Sequence, residues 1–403
     1  MTTFAHVDAD CFYVSCERIR DEMLSERPVA VLGNQGACVI AASYEMKAVG
    51  VNVAMPVWKA KRICPEGLFI KRDFRWYGLL SRAMQDVLDE FSDHIEYYSV
   101  DESFLDLGSG VRNLLGRAVE MRSRMLNATG LPVSVGIGPT RTLCKLASKA
   151  NKPFGALVIN DANREAILST TPVEKVNGIG HRLLKRCHSN GIYTALDFTR
   201  RAQSEIKRIF FKPGEAIWYE LQGQPVFSIN PERGDRKIVS RGGSLWGNYR
   251  DKKYVWGFVM RNMERFMSTL WEEQLEIRRL TLVLRRSEGG ADTFTQELPD
   301  YTNDQATMME AIQVAYSRAF MDGVSYMRMH IVGENIRNSS VKQLNLFNKE
   351  DARRHVIQQL KMKINKRFGL FTLRTAASGH AAAVFKDKVS DFEIVDIPNK
   401  HLF

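Results

Sequence analysis

Apolar and polar residues follow two periods along the first 140 residues, which predicts both strands and helices there. Between 74 and 92, apolar residues recur at the three- and four-residue spacing of a helix. Around 95–107 they alternate in two short segments, which predicts two strands joined by a tight hairpin. With residues 19–72 set aside as an insertion, the predicted order is strand, helix, two hairpin strands, helix and strand. This is the βαββαβ order of ferredoxin-like domains.

The same order of elements is predicted again in residues 236–333. A strand at 237–247 precedes a helix with an apolar stripe at 255–271, two strands, a helix at 302–320 and a last strand. The Met and aromatic residues of the stripe are interpreted as core packing. Between the two α+β segments, residues 166–230 predict short helices separated by glycines. The predicted fold class is therefore α+β, with a helical part between two α+β parts.

The composition limits the class of protein. A chain of 403 residues is too long for one hydrophobic core and predicts two to four domains. No apolar run approaches the roughly 20 residues of a membrane helix, and the start, MTTFAHVDAD, lacks the basic and apolar regions of a signal peptide. The six cysteines form no C-x-x-C pair, which argues against a zinc site or a disulfide framework. We expect a cytoplasmic protein without membrane attachment.

The net charge is +11, and it is unevenly distributed. The first 100 residues carry more acidic than basic side chains, and each later quarter of the chain is basic. An acidic region followed by basic surfaces is typical of proteins that guide a polyanion past a site that holds cations. The charge pattern favours a nucleic-acid partner, although basic surfaces without one are common.

Two adjacent carboxylates, Asp101 and Glu102, stand at the predicted hairpin turn in YYSVDESFLDL. An acidic pair at a turn is usually only solvated. In the ferredoxin-like topology, however, the first strand lies beside this hairpin, which brings Asp8 close to the pair. Three oxygen-ligand side chains on neighbouring strands suit two Mg²⁺ ions, which can activate a hydroxyl and hold a leaving oxygen in phosphoryl transfer.

Candidate phosphate contacts are spread over the rest of the chain. Tyr44 and Lys47 share one face of a short predicted helix, and Lys152 follows another helix; each also suits an ordinary surface position. Gly178 and Gly180 lie in VNGIG before a basic helix, where the backbone can approach a phosphate as in helix-hairpin-helix modules; an ordinary turn is the alternative. Arginines that bracket strands of the second α+β segment are further candidates: Arg241, Arg278, Arg279, Arg285 and Arg286.

Several motifs together resemble those of the Y-family, the translesion DNA polymerases. They are HVDADCFYVSCE, ASYEMKAVGV, YSVDESFLDL, KANKP and VNGIG, and the similarity extends from residue 1 to about 347. The family implies a right-hand fold with a ferredoxin-like βαββαβ palm, small fingers, a helical thumb with a helix-hairpin-helix, and a βαββαβ little finger. The expected boundaries are 1–18 and 73–165 for the palm, 19–72 for the fingers, 166–232 for the thumb, 233–340 for the little finger and 341–403 for a C-terminal tail.

The resemblance implies the metal site. Asp8, Asp101 and Glu102 match the family's metal ligands, and the backbone carbonyl of Ala9 is a further ligand. The implied cofactor is Mg²⁺, as two ions.

The resemblance also implies the nucleotide contacts. Tyr44, Lys47 and Lys152 match the family's triphosphate contacts, although many relatives have arginine where this chain has Lys47. Phe12 and Tyr13 match the positions at the nucleotide's sugar, where the ring of Tyr13 is expected to exclude a 2′-hydroxyl.

The implied activity is template-directed addition of deoxynucleotides to a primer 3′ end. Low fidelity, no proofreading and lesion bypass in the SOS response to DNA damage are expected with it. Fingers of about 50 residues built from Ala, Gly and Val also favour low fidelity, because they are too small to test pair shape by tight closure.

Two other functions are compatible with parts of this pattern. A catalytically inactive polymerase fold that serves as a scaffold in mutagenesis predicts the loss of a metal-binding carboxylate, and this chain retains all three. A nucleotidyl cyclase shares the palm order but needs neither a DNA-binding thumb nor a second basic domain.

Within the family, the wording FYVSCE, the tail motif QLNLF and the residues beyond it resemble the UmuC-type branch, the catalytic subunits of bacterial polymerase V. The DinB-type branch is the close alternative. The UmuC-type branch implies a UmuD′-like accessory protein and a RecA filament as partners, besides primer-template DNA and dNTP. In QLNLF, Gln343, Leu344, Leu346 and Phe347 resemble the peptide with which bacterial polymerases dock on the sliding clamp; packing under the little finger is the alternative.

Overall fold

The computed structural model describes residues 2–33, 38–231, 236–339, 352–368 and 371–376. They form two compact units, one on each side of the gap at 232–235. Each unit has an α+β core of its own, as the two predicted α+β segments require. Among the described residues, no helix is both long enough and apolar enough to cross a membrane.

A five-stranded sheet is the centre of the first unit. Its strands are β1 (Thr2–Ala9), β5 (Ile95–Tyr97), β6 (Glu102–Ser109), β7 (Val133–Gly138) and β8 (Ala156–Val158). Their order is β5-β6-β1-β7-β8, and β1 pairs antiparallel with both β6 and β7. The first four strands have the predicted ferredoxin-like order. The edge strand β8, parallel to β7, is an addition to it.

Four helices pack on this sheet: α1 (Phe12–Arg20), α4 (Phe74–Leu88), α5 (Leu114–Thr129) and α6 (Arg141–Ala150). Asp73 caps α4 by accepting a hydrogen bond from the Trp76 backbone N–H, and Thr140 caps α6 in the same way. Apolar side chains of α1, α4 and α5 share one buried cluster with the strands. Because this cluster surrounds β1, it fixes the end of the strand at which Asp8 lies.

A small sheet occupies the predicted insertion at 19–72. Its strands are β2 (Val29–Leu32), β3 (Val39–Ala42) and β4 (Leu68–Lys71), in the order β3-β2-β4, with helices α2 (Tyr44–Ala48) and α3 (Val57–Ile63) beside them. Both faces of the sheet are buried. One face, with Val29, Val31 and Ile70, belongs to the core of the five-stranded sheet. The other face, with Leu32 and Phe69, forms a separate cluster with α2 and α3.

Helices follow the five-stranded sheet: α7 (Arg164–Thr170), α8 (His181–Ser189), α9 (Ala195–Arg200) and α10 (Gln203–Leu221). They share a buried cluster with Leu143 and Leu146 of α6, so α6 joins the sheet to the helices. The last helix is kinked at Phe211, where φ is 59°, two residues before Pro213, whose ring cannot continue a helix.

The second unit has the predicted chain order: β9 (Ile238–Tyr249), α11 (Lys252–Glu272), β10 (Leu275–Arg286), β11 (Ala291–Thr302), α12 (Gln305–Ala319) and β12 (Tyr326–Asn338). The order in the sheet is β11-β10-β12-β9. The first strand of this βαββαβ segment therefore lies at the edge, whereas β1 lies inside its sheet. The two units repeat the order along the chain but not the order across the sheet.

A last helix, α13 (Ala352–Phe368), packs on the second unit within the predicted tail. Lys361 Nζ donates to Glu264 Oε2 at 2.5 Å, and Gln358 Nε2 donates to the Asn303 carbonyl at 2.9 Å. Met362 packs against the apolar cluster of the unit. The motif QLNLF at 343–347 lies outside the described residues.

Candidate active site

Asp8 and Glu102 face each other across two neighbouring strands. They are partners in the antiparallel register of β1 and β6, and the Ala9 backbone N–H donates to the Asp101 carbonyl at 2.9 Å. Asp8 is only 5% exposed. Oxygens of both carboxylates and a ring nitrogen of His6 all lie within 4.8 Å of one another. The structure thus brings together two of the three carboxylates that the sequence singles out, and adds a histidine.

Asp101 lies in the turn just before β6 and is half-buried. Ser99 Oγ donates to Asp101 Oδ1 at 2.6 Å and accepts a hydrogen bond from the Glu102 backbone N–H at 3.0 Å. Asp101 is outside the 4.8 Å cluster of His6, Asp8 and Glu102, but its charge is close enough to raise the pKa of Asp8. The serine therefore shapes the turn that presents both acidic residues.

Glu102 has two nitrogen partners. Lys145 Nζ on α6 lies 2.5 Å from Glu102 Oε2, and His6 Nε2 lies 3.5 Å from the same oxygen. Burial by itself raises the pKa of Glu102, but the His6 ring and the Lys145 ammonium outweigh it and hold the pKa at about 2. Burial lowers the pKa of His6 to about 4, so His6 is neutral at pH 7. Glu102 is therefore ionised and held in one orientation.

Asp8 has a lysine of its own. Lys152 Nζ donates to Asp8 Oδ1 at 2.5 Å. Burial is the main reason that the pKa of Asp8 is above its ordinary value, and the Lys152 charge opposes this rise. For Lys152, burial lowers the pKa, but Asp8 and Asp10 outweigh it and raise the pKa above its usual range. The sequence predicts that Lys152 binds a triphosphate, whereas in the structure its ammonium group contacts the carboxylates of Asp8 and Asp10.

Asp10, to which no role was assigned from the sequence, anchors the loops around this site. It is 2% exposed, and its carboxylate accepts hydrogen bonds from Ser134 Oγ at 3.1 Å and from the Phe154 backbone N–H at 2.7 Å. Tyr44 OH donates to the other oxygen at 3.2 Å. Asp10 therefore ties β7, the loop after α6 and helix α2 to the end of β1.

Tyr44 and Lys47 lie on the same side of α2, as their spacing predicts. Lys47 Nζ is 4.7 Å from the centre of the Tyr44 ring and donates to Cys11 Sγ at 3.1 Å. Lys47 is exposed, whereas the Tyr44 hydroxyl reaches Asp10. The two residues thus border the carboxylate cluster from the side of the small sheet.

The two aromatic residues expected at the sugar have different environments. Phe12 is 4% exposed and belongs to the buried core. Tyr13 is half-buried, and its ring stacks on Tyr77 at 4.6 Å between centres. Tyr77 OH in turn donates to the buried Glu17 at 2.6 Å. The Tyr77 ring therefore supports one face of the Tyr13 ring. Of Phe12 and Tyr13, Tyr13 is the residue that retains accessible surface.

The residues predicted to contact DNA differ in whether they already make contacts within the protein. Gly178 has a φ of +92°, and a Cβ there would lie 2.8 Å from Ile217 Cδ1, so packing alone explains this glycine. Gly180 caps α8 and has open space around its Cα. Arg241 donates to Thr269 Oγ1 at 2.6 Å, whereas Arg285 is exposed. Two other arginines of the candidate set are paired, Arg279 with Glu297 and Arg286 with Asp292.

Two family models cover more than half of the chain. Residues 7–149 match the impB/mucB/samB family, and residues 236–346 match the C-terminal domain of the same family. The chain belongs to the impB/mucB/samB family. It is a Y-family DNA-directed DNA polymerase, of the kind that carries out translesion synthesis in DNA repair.

Curated relatives match this polymerase over most of their length. DNA polymerase IV 1 of Bacillus subtilis is 28% identical over 382 residues, which cover 93% of this chain and 92% of the relative. Protein ImpB of Salmonella typhimurium is 28% identical over 370 residues, 87% of each chain.

Solved structures confirm the fold class. A Y-family DNA polymerase chimera of Dbh and Dpo4 has a TM-score of 0.70 at 21% identity and covers 83% of this chain and 99% of its own. An insertion ternary complex of Dbh DNA polymerase has a TM-score of 0.55 with the same coverage. The palm-like mixed sheet and the separate antiparallel sheet are thus those of a Y-family polymerase.

His6, Asp10 and Lys145 were not predicted as site residues from the sequence. For His6 and Asp10, however, the sequence contains a pattern that indicates a buried polar face. In FAHVDADC, polar residues occupy every second position from His6 to Asp10 in a segment that is otherwise apolar. Alternate residues of a strand point to the same face, so this pattern marks a polar face on a buried strand. Lys145 has no such signal, because the chain gives no indication that one lysine of α6 turns inward.

Proposed function

We propose that this polymerase adds deoxynucleotides to a primer 3′ end on a DNA template, with two Mg²⁺ ions held by Asp8, Asp101 and Glu102. The pairing of Asp8 with Glu102 across β1 and β6 is the observation that carries the proposal. Carboxylate oxygens and the Ala9 carbonyl form the oxygen-rich donor set that Mg²⁺ prefers. Two ammonium groups already lie against these oxygens, so the residues present fit a cation.

The bound ions would supply the Lewis acidity for phosphoryl transfer. The chain's own contribution is to hold the ligands still. Asp8 and Glu102 extend from paired strands, the Ser99 hydroxyl fixes the turn at Asp101, and Lys145 with His6 keeps Glu102 ionised and oriented. This arrangement preorganises negative charge where the metal ions would bind.

Three residues beside the carboxylates are assigned to the incoming nucleotide. Lys47 and Tyr44 on α2, and Lys152 after α6, supply two cations and a hydroxyl beside the site, which suits a triphosphate. The ring of Tyr13, supported by Tyr77, is assigned to the sugar, where it would clash with a 2′-hydroxyl. Exposure and position support the assignment of Tyr13, and Phe12, whose ring is buried, stays a predicted residue at the sugar.

We assign the four domains of the family to the chain with the boundaries that the sequence predicts. The palm is assigned to 1–18 and 73–165, the fingers to 19–72, the thumb to 166–232 and the little finger to 233–340. Helix α7 begins at Arg164, so the palm–thumb boundary is better placed between β8 and α7. Residues 341–403 form the tail, of which α13 packs on the little finger.

We assign the chain to the UmuC-type branch of the family, with lesion bypass in the SOS response, low fidelity and no proofreading. The wording FYVSCE and the motif QLNLF support this assignment. The partners would then be the sliding clamp at Gln343, Leu344, Leu346 and Phe347, a UmuD′-like protein and a RecA filament. The cytoplasm is the corresponding location. Strong primer extension without any accessory protein would favour the DinB-type branch instead.

Primer extension by the purified protein across an abasic site, with Mg²⁺, tests the proposal. Asp101→Ala should abolish extension while DNA binding and folding persist, because only a metal ligand is lost. Glu102→Ala should abolish extension as well, but with lower stability, because the buried Lys145 loses its partner. Asp93→Ala, an exposed acidic residue in the turn before β5, is the matched control and should extend normally. Near-normal extension by Asp101→Ala would contradict the two-metal assignment.

The inactive scaffold is the second candidate. It predicts that the wild-type protein binds primer-template but adds no nucleotide under any metal condition. The retained carboxylate cluster is the observation against it.

A further inference from the structure

Lys152 lies against oxygen atoms that the proposed function gives to the metal site. Its Nζ lies 2.5 Å from Asp8 Oδ1, 3.3 Å from Asp10 Oδ1 and 3.4 Å from the Ala9 carbonyl. The two carboxylates are 7% and 2% exposed, and a carboxylate that is both ionised and buried needs a positive partner. An ammonium group therefore sits where a cation bound to Asp8 and Ala9 would sit.

Lys145 has a different environment. It belongs to α6, its side chain is 6% exposed, and its Nζ lies 4.4 Å from the centre of the Tyr98 ring as well as 2.5 Å from Glu102. Lys152 follows the end of α6, and its side chain is 21% exposed. Lys145 is thus enclosed by Glu102 and the Tyr98 ring, whereas the side chain of Lys152 is partly open to solvent.

We infer that Lys152 is a resident counter-ion that keeps Asp8 in place until a metal ion displaces it, whereas Lys145 stays on Glu102. The Lys152 ammonium and a metal ion cannot occupy the same position against Asp8 Oδ1 and the Ala9 carbonyl, so the lysine must leave this position when an ion binds there. A metal ion that binds here must first break the contact between Lys152 and Asp8. The free energy of that contact therefore weakens metal binding. Lys152 is thus a positioning residue, and this role rests on the proposed metal site.

Lysine labelling of the wild-type protein tests the displacement directly. Reductive methylation followed by peptide mass spectrometry gives the modification rate of each lysine, with and without Mg²⁺. We expect Mg²⁺ to raise the rate at Lys152 at least about threefold, because the ion pair that shields its amine is broken. Lys145 should stay protected, and the exposed Lys149 should not respond. An unchanged rate at Lys152 in saturating Mg²⁺ overturns the inference.

Metal affinity supplies a second measurement. Mn²⁺ binding followed by electron paramagnetic resonance should be about tenfold tighter in Lys152→Met, because no charge-assisted hydrogen bond must be broken. Lys149→Met removes an exposed charge from α6, three residues before Lys152, and should change the affinity by less than about twofold. Equal affinities in all three proteins, or equal tightening in both variants, refute the displacement alone. Absence of Mn²⁺ binding in all of them refutes the metal site as well.

Discussion

Replacing Lys145 by Met measures what the Lys145–Glu102 pair contributes to the stability of the metal-free protein. Met keeps the length of the side chain but leaves Glu102 without its ammonium partner. The fall in the pKa of Glu102 from its ordinary 4.5 to about 2 corresponds to about 3 kcal/mol. Because the carboxylate is 17% exposed and keeps His6 beside it, we expect Lys145→Met to lower the free energy of unfolding by about 2 kcal/mol.

Urea unfolding in a chelator, followed by hydrogen-exchange mass spectrometry of peptides from β1 and β6, reports on the first unit alone. The single variants Lys145→Met and Glu102→Gln and the double variant form a cycle, in which we expect a coupling of about 1–2 kcal/mol. The exposed Lys149→Met is the control and should stay within about 0.5 kcal/mol of wild type.

The same pair predicts a pH dependence. A carboxylate whose pKa is lowered by folding stabilises the protein above its unfolded-state pKa and loses that effect as the pH falls toward the folded-state value. The deficit of Lys145→Met should therefore be full at pH 6–7 and shrink as the pH falls through 4 toward about 2. A deficit below about 0.5 kcal/mol at pH 7, or single deficits that simply add in the double variant, would refute the reasoning.

Three further predictions concern substrate and partners. Tyr13→Ala should raise ribonucleotide incorporation strongly with a modest loss on deoxynucleotides, as measured by single-nucleotide insertion; an unchanged ribonucleotide rate would place the gate elsewhere. Gly180→Val should weaken DNA binding equally for unrelated sequences, as measured by fluorescence anisotropy, and leave the melting temperature unchanged. Gly178→Val should also lower the melting temperature, because Gly178 has a φ of +92°. Leu346→Ala with Phe347→Ala should keep basal insertion but abolish stimulation by the sliding clamp; loss of basal activity would indicate core packing instead.

The fold was predictable as far as it depends on local pattern. Alternation and helical spacing predicted the βαββαβ order of both units, because the period of apolar residues reports which face of an element is buried. The pattern cannot report which strands become neighbours. The edge position of β9 and the additional strand β8 arise from packing between segments that are distant in sequence. The periodicity of apolar residues does not encode this packing.

Site residues were predictable from the sequence where the chemistry of their side chains and the predicted strand topology indicated the same position. Asp8 could be placed beside Glu102 because the ferredoxin-like order makes β1 and the hairpin neighbours. The different environments of Phe12 and Tyr13 depend on helix phase, since adjacent residues point about 100° apart. The position of Lys152 on Asp8 depends on a side-chain conformation, which no motif encodes.

The small sheet with both faces buried limits how the polymerase can move. Val29, Val31 and Ile70 are part of the core that also contains residues of β1 and β6, and swinging the sheet outward would expose each of them at about 1.5–3 kcal/mol. The sheet and the strands that hold Asp8 and Glu102 therefore move as one body. We therefore expect the small sheet not to close over an incoming nucleotide. A distorted template base would then meet no closing surface that could reject it, and tolerance of damage would follow from rigidity rather than from looseness.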